Sequence, residues 1–233
     1  IAPFTDPRVR QAVALTLNRP AMVAGLLDGH GSVANDSPFG PRFPSTDTSV
    51  PQRVQNISQA KQLLAAAGHP NGFSVKLDTE QYEEIPQLAT VIAEDAKAAG
   101  IDITLNVESQ SLYYGSSKYG SSDWLDGTMS LVDYGDRGVP NLYLEATLTS
   151  DGQWNAARFR NPTYDALVKQ YVAALDLSAQ RAIAGKIQRL LLDETPLIIP
   201  YWIDGLTAST PTVGGLNPTS TAQLYLNSAY KSA

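Results

Sequence analysis

The sequence predicts an α/β domain whose mixed, mostly parallel sheet is flanked by helices. Three observations carry this. Phe73-Ser-Val-Lys-Leu77 and Ile101-Asp-Ile-Thr-Leu-Asn-Val107 alternate apolar and polar residues with the period of two that a half-buried strand requires. Between them Ile85, Leu88, Val91, Ile92 and Ala96 fall on one helical stripe, and a strand, helix and strand joined by short links form a right-handed crossover with parallel strands. Finally, 43% of the 233 residues are apolar, enough to fill a sizeable core.

The elements follow in order. Asp6-Pro7 opens a helix, because Asp caps orphan N–H groups and Pro is pre-set for the first turn; Val9, Val13 and Leu17 then repeat at helical spacing to about Asn18. Arg19-Pro20 starts a second helix through Met22, Val23, Leu26 and Leu27, which stops at Gly29, where the missing Cβ permits a left-handed turn. From Ser32 to Gln55 the prolines at 38, 41, 44 and 51 interrupt any periodicity, so this stretch reads as a long ordered surface loop. Asn56 and Ser58 offer N-caps to a helix from Ala60 to Ala67, closed by Gly68-His69-Pro70, and Asn71-Gly72 turns the chain into the first strand.

Gly100 closes the crossover helix before the second strand. Tyr113 to Tyr119 reads as a short helix or turn, and Leu125 to Val132 as a third strand that delivers Asp133-Tyr134-Gly135-Asp136-Arg137 to its C-terminal end, where open α/β sheets place ligands. Asn161-Pro162 starts a helix carrying Tyr164, Leu167, Val168 and Tyr171. Ser178 is read as the cap of a longer one carrying Ile183, Ile187, Leu190 and Leu191 that ends before Pro196, the pair packing as a hairpin. Leu197 to Trp202 reads as a buried strand, and the stretch after Trp202 is rich in Gly, Thr, Ser and Asn, with little core of its own.

Composition narrows the function. The net charge is −6 and the 17 Lys and Arg residues are scattered, which gives no footprint for a phosphate backbone and argues against a nucleic-acid partner. With no Cys and only two His, His30 and His69, disulfides, thiol nucleophiles and the common zinc ligand sets are excluded, and no cofactor or metal is expected. Both His lie beside Gly or Pro in predicted loops and read as solvated turn residues. No stretch of roughly 18 apolar residues occurs, and the start at Ile1 carries no export signal, so the chain is expected to be a trimmed piece of something longer.

Phe4-Thr-Asp-Pro-Arg-Val-Arg-Gln-Ala-Val, Asn18-Arg19, Ser58-Gln-Ala-Lys-Gln-Leu-Leu-Ala-Ala-Ala-Gly68, Gly100-Ile-Asp-Ile-Thr-Leu, Asp133-Tyr134-Gly135-Asp136, Asn161-Pro-Thr-Tyr-Asp165, Arg181 and Asp193-Glu-Thr-Pro-Leu-Ile198 occur in one order along nearly the whole chain. In that order they resemble the C-terminal half of the family 5 extracellular solute-binding proteins of ABC importers, the peptide, dipeptide and nickel group. The resemblance implies a type II periplasmic-binding-protein-like lobe, with residues 1–204 as the C-terminal ligand-binding lobe. It also implies a tail, residues 205–233, that crosses back to a missing N-terminal lobe. As function it implies capture outside the cytoplasm, in the periplasm or at the cell surface, of a small solute, peptide-like before all, between two lobes for delivery to a membrane ABC permease. A carbohydrate or an opine is the alternative ligand within the family.

In peptide-binding relatives the acid at the place of Asp133 anchors the ligand's amino group, so the resemblance assigns Asp133 to the ligand, with Tyr134, Asp136, Arg137 and Trp124 as further contacts. From residue type alone Asp133 serves equally as a turn cap or an ion-pair partner of Arg137. Arg137 offers a bidentate donor to a ligand carboxylate, or pairs with Asp133 or Asp136. Trp124 and Trp154 stack on an apolar group at the cleft or fill the core. The chain departs from the family pattern where Leu131 replaces an expected Trp and Arg137 an expected Pro. Outside the family, a hydrolase using Asp133 and Asp136 as a carboxylate pair for glycosides is the competing class; no serine-hydrolase elbow or phosphate-binding loop is present. No enzymatic activity is expected.

Overall fold

The structure is a computed structural model and describes residues 1–219, 221 and 223–232. In chain order its elements are α1 (Pro7–Thr16), α2 (Arg19–Leu26), β1 (Gly31–Val33), α3 (Ile57–Ala66), β2 (Phe73–Glu80), α4 (Ile85–Lys97), β3 (Ile101–Glu108), α5 (Gln110–Tyr114), α6 (Asp123–Asp126) and β4 (Met129–Leu131). There follow α7 (Asn141–Ala146), α8 (Pro162–Ala173), α9 (Leu177–Glu194), β5 (Tyr201–Ile203) and the short strands β6 (Val213–Gly214), β7 (Asn217–Pro218), β8 (Leu224–Tyr225) and β9 (Tyr230–Lys231).

The central sheet is wholly parallel in the order β3-β2-β4, with Val75 opposite Ile103 and Thr79 opposite Leu131. The crossover through α4 is the one the periodicity predicts. Its start is fixed by glycine: Gly72 sits at φ +77°, and a Cβ there would lie 1.8 Å from the Gly100 carbonyl oxygen. Two turns therefore touch back to back and set the register in which Phe73 opens opposite Ile101. Phe73, Val75, Leu77, Ile101, Ile103 and Leu105 point to a core shared with α1, α3 and α4. The opposite face carries Asp78, Glu80, Asn106 and Glu108, a polar surface whose C-terminal half is roofed by α5 and α6. A second core, built on Leu144, Tyr164, Val168, Ile187 and Leu191, lies in the α8–α9 hairpin.

Side-chain caps match the sequence at three helices, where Asp6, Asn56 and Asn161 each accept a backbone N–H; Asn18, read as the end of the first helix, caps the second by accepting from Ala21 N–H. The longest helix is capped by Asp176, not Ser178; the Asp carboxylate accepts the Ala179 N–H at 2.9 Å and Ser178 merely donates to it. The stretch 125–132 also differs from expectation. Asp123–Asp126 is a helical turn and only Met129–Leu131 is a strand, because burying Trp124 and Leu125 against Tyr113 outweighs the extended preference of the run. Ser32 belongs to β1, which pairs antiparallel with β5 (Ser32 opposite Trp202), a pairing of distant segments without a local signal. Among the described residues no helix is long and apolar enough to cross a membrane.

The long loop is held by a buried charge cluster. Asp36, fully buried, accepts from Arg19 at 2.8 and 2.9 Å, from Arg53 at 2.8 Å and from the Ile199 N–H at 2.9 Å; Arg53 also donates to the Leu192 carbonyl and to Thr195. Breaking a buried pair strands the partner charge without solvent. Asp36→Asn keeps the left-handed backbone that Asp36 adopts at φ +51° and removes only the charge. The expected loss is about 3–5 kcal/mol, read as a lower urea midpoint at unchanged slope; an unchanged midpoint refutes the role.

Candidate functional site

At the C-terminal end of the sheet, the strand ends and the loops that follow them converge. Glu80, the last residue of β2, is 1% exposed. Its carboxylate accepts from Gln110 Nε2 at 2.7 Å and from the Tyr114 hydroxyl at 2.6 Å, both on α5. The neighbouring strand is tied alongside by the Leu131 carbonyl, which accepts from Thr79 Oγ1 at 2.9 Å and the Tyr113 hydroxyl at 2.8 Å. Burial lifts the Tyr113 and Tyr114 hydroxyls above the usual phenol range, so both stay protonated as donors.

Two residues beyond Leu131 stands Asp133, half-buried, on the edge of this roofed polar face. Burial raises its pKa above the ordinary carboxylate value, and the negative charges of Glu84, Glu83 and Glu80 raise it further against the pull of the Tyr134 backbone N–H. Glu84, at the N-cap position of α4, accepts from the Tyr201 hydroxyl of β5 at 3.2 Å. The acids come from the end of β2 and the link into α4, and the strongest charges acting on Asp133 are all of its own sign.

A second pole lies a few residues on. Asp136 accepts the Gly138 N–H at 2.7 Å and pairs with Arg42 from the long loop, whose guanidinium lies 4.4 Å over the Phe43 ring. Asp136 thus takes its partner from 94 residues away, while Arg137 is exposed beside Gly135 and Tyr143. Between Asp133 and these arginines stand rings. Tyr134, 38% exposed, has its ring centroid 5.3 Å from Tyr143, 6.3 Å from Trp124 and 6.4 Å from Trp154. Trp124 is 5% exposed and packs with Tyr113, a core position beneath Tyr134; its Nε1–H makes no well-formed hydrogen bond, and the group that feels it is the inward-turned Tyr134 hydroxyl.

The structure therefore gathers Asp133, Tyr134, Asp136, Arg137 and Trp124 at one place, with Trp124 under the surface and the others along it. Sequence reasoning missed Arg42, Glu80, Glu83, Glu84 and Tyr201. The run Glu80-Gln-Tyr-Glu-Glu84 carried a usable signal, four polar or acidic residues at the C-terminal end of a parallel strand; Arg42 and Tyr201 carried none.

Ordered agreement of the sequence with one family completes this picture. The profile of the bacterial extracellular solute-binding proteins, family 5, middle region, matches residues 1–155. The chain belongs to family 5 of these proteins. Among curated relatives, it is 26% identical over 222 residues to the heme-binding protein A of Haemophilus influenzae, covering 92% of this chain and 40% of that protein. It is 27% identical over 228 residues to the periplasmic murein peptide-binding protein MppA of Escherichia coli, covering 90% and 41%. The solved murein tripeptide binding protein of E. coli superposes with a TM-score of 0.78 at 25% identity, over 99% of this chain and 46% of that one. HbpA2 of Haemophilus parasuis gives 0.79 at 18% identity, over 98% and 46%, a likeness of fold. The family 5 chain thus spans about two fifths of the length of the curated relatives it matches, and its fold is that of a type II periplasmic-binding-protein lobe.

Other features of this family 5 lobe carry less chemistry. Asp78, Glu108 and Asp123 place carboxylate oxygens within 4.8 Å of one another, as a metal would require. Lys76 Nζ already sits 2.6 Å from Asp78, and Asn106 bridges Asp78 and Glu108 at 2.8 and 2.9 Å, so the cluster is compensated from within. Two surface grooves of about 300 and 550 Å³ are lined from α1, α3, α8 and α9 and touch none of the residues around Asp133. The candidate site is one open wall.

Asp133 gives a signed pH prediction. A carboxyl whose folded pKa lies above its unfolded one binds protons more readily in the native state, so its contribution to stability is present at low pH and is lost as pH rises through the window above the ordinary Asp value of 3.8. Asp133→Asn is therefore expected to raise the melting temperature at pH 7 relative to the parent chain, with the gain vanishing near pH 3. Equal gains at both pH values refute an unfavourable charge at Asp133.

Proposed function

We propose that this chain is the C-terminal lobe of an extracytoplasmic solute-binding protein that captures a peptide-like zwitterion for an ABC importer. The observation that carries the reading is a dipolar wall: a half-buried carboxylate at Asp133 whose strongest charged neighbours, Glu80, Glu83 and Glu84, are acids, with Arg137 and the Arg42–Asp136 pair on the other side of Tyr143. An α-ammonium would relieve the repulsion at Asp133, and a ligand carboxylate would meet Arg137. That the relatives' names include murein peptide and oligopeptide binding supports the peptide class. Membership of a family of binding proteins, and the occupation of Asp136 by Arg42, favour binding over glycoside hydrolysis, and we infer no enzymatic activity.

We assign residues 205–233 to the strap that completes the missing N-terminal lobe. The described part supports this: β6 pairs with β9 and β7 with β8, as two-residue ladders whose Leu224, Tyr225 and Tyr230 are exposed, as is Leu226 beside them. Two-stranded pieces of that size do not hold themselves in water. Closure of the absent lobe over the wall would bury the solute and present the closed form to a permease. The rings of Tyr134 and Trp154 on the same wall favour, as a second reading, an opine or sugar conjugate that stacks on them.

A thermal-shift screen of the whole protein against di- and oligopeptides, opines and oligosaccharides tests this, since a ligand of the native state alone raises the melting temperature. For an amine-bearing ligand, Asp133→Ala should weaken binding roughly 30-fold or more, the scale for truncating one member of a buried charge pair. Affinity should also fall as pH drops, because the raised pKa protonates Asp133 earlier than an ordinary carboxylate. Binding indifferent to both changes would sink the anchor assignment.

A further inference from the structure

The segment 115–122, Gly-Ser-Ser-Lys-Tyr-Gly-Ser-Ser, has the composition of a flexible loop, yet it is folded tightly on itself. Gly115, Ser117 and Gly120 all have positive φ, and a Cβ on Gly115 would lie 2.0 Å from the Ser121 carbonyl oxygen. One side chain from another part of the chain holds it. The Arg158 guanidinium lies 3.9 Å over the Tyr119 ring and donates to Asp126 Oδ1 at 2.8 Å, while Asp126 Oδ2 accepts the Gly120 N–H at 2.6 Å and the Ser122 N–H at 3.3 Å. The Tyr119 hydroxyl closes the loop on the same partner by donating to the Asn155 carbonyl at 2.9 Å.

The partner segment is rigid. Asn155 is 2% exposed, and its side chain donates to the Thr149 and Phe159 carbonyls and accepts the Phe159 N–H. Arg158 adopts φ +53°, a region costly for an arginine, which persists where surrounding contacts over-determine it. Next to Asn155 in this segment is Trp154, whose ring stands against both Trp124 and Tyr134.

We propose that Arg158 is a positioning residue for the ligand wall: it latches segment 115–122 to segment 154–159, and so fixes Tyr119 and Trp154 as one side of the aromatic surface around Tyr134. This rests on the reading that the C-terminal end of the sheet faces the solute, and the latch can be examined apart from it. Planar stacking and a directed N–H bond are both needed, so Lys at 158, which keeps charge alone, does not substitute.

The test compares Arg158→Gln and Arg158→Lys in a Trp202→Phe background, where Trp fluorescence reports Trp124 and Trp154. Both variants should retain the native melting transition, since half of the Arg158 side chain is solvent-exposed. Amide exchange at Gly120 and Ser122 should accelerate at least 10-fold, and acrylamide quenching should increase; Tyr119→Leu should do the same and add little to Arg158→Gln. Unchanged exchange and quenching overturn the latch. In the whole protein, Ala-Phe-Ala should lose about 10-fold in affinity in Arg158→Gln and trialanine much less. Equal loss overturns the role in the wall, and failure of both peptides to bind the unsubstituted protein overturns the peptide reading, with the exchange result still deciding the latch.

Discussion

The burial of Asp36 between Arg19 and Arg53 is the constraint on which the rest of the lobe depends. One carboxylate accepts from two guanidinium groups and a backbone N–H, and those donors belong to the start of α2, the end of the long loop and the segment leading into β5. A lone buried charge costs far more than a surface pair returns, so these segments must meet together or not at all. This turns a proline-rich stretch without periodicity into an ordered path across α1 and α9. Ser45 on that path bonds the Tyr171 hydroxyl at 2.7 Å, Asp47 accepts from Arg189, and Asp47 N–H donates to Gln188. The consequence reaches the candidate site: Arg42 is delivered to Asp136 only because the loop on either side of it is pinned.

A second division of labour runs through the sheet. One face of β2 and β3 is apolar and buried against α4; the other begins exposed at Ser74 and Lys76 and ends buried at Asp78 and Glu80. Burying Glu80 is tolerable because Gln110 and Tyr114 satisfy it with two strong donors. Asp133 is treated oppositely. It has tyrosines for neighbours, yet Tyr114 donates to Glu80, Tyr143 to Gly135 and Tyr201 to Glu84. These hydroxyls are engaged by groups that shape the wall, and Asp133 is left with the Tyr134 backbone N–H.

Features legible in the sequence and features hidden from it divide along one physical line. Local signals worked: Asp6, Asn56 and Asn161 cap because a short polar side chain can reach an N–H two or three residues on, and Gly72 and Gly100 mark turns that only glycine fits. The crossover from Phe73 to Glu108 was legible because burial on one face imposes a period. Non-local facts were not. The pairing of β1 with β5 joins residues about 170 apart, and Leu125 to Val132 reads as a strand until the aromatic neighbours that hold its start in a helical turn are known. At the site, Asp133 to Arg137 stood out because they come directly after a strand, whereas Arg42 and Tyr201 arrive through tertiary packing.

On the proposed function, these features amount to an open wall prepared for a solute before a second lobe covers it. In the absence of ligand, Asp133 carries an unfavourable charge, partly desolvated and facing three other acids. Such a group contributes little by attracting a cation in bulk water; it contributes by being relieved when one arrives, and the relief grows as closure excludes solvent. An amine held at Asp133 would cancel the repulsion already present, whereas an anion there would add to it, so on the proposed reading charge discrimination precedes closure. With Arg42 engaged by Asp136, Arg137 would then set polarity along the wall on that reading, because a zwitterion lying the wrong way round would meet like charge at both ends.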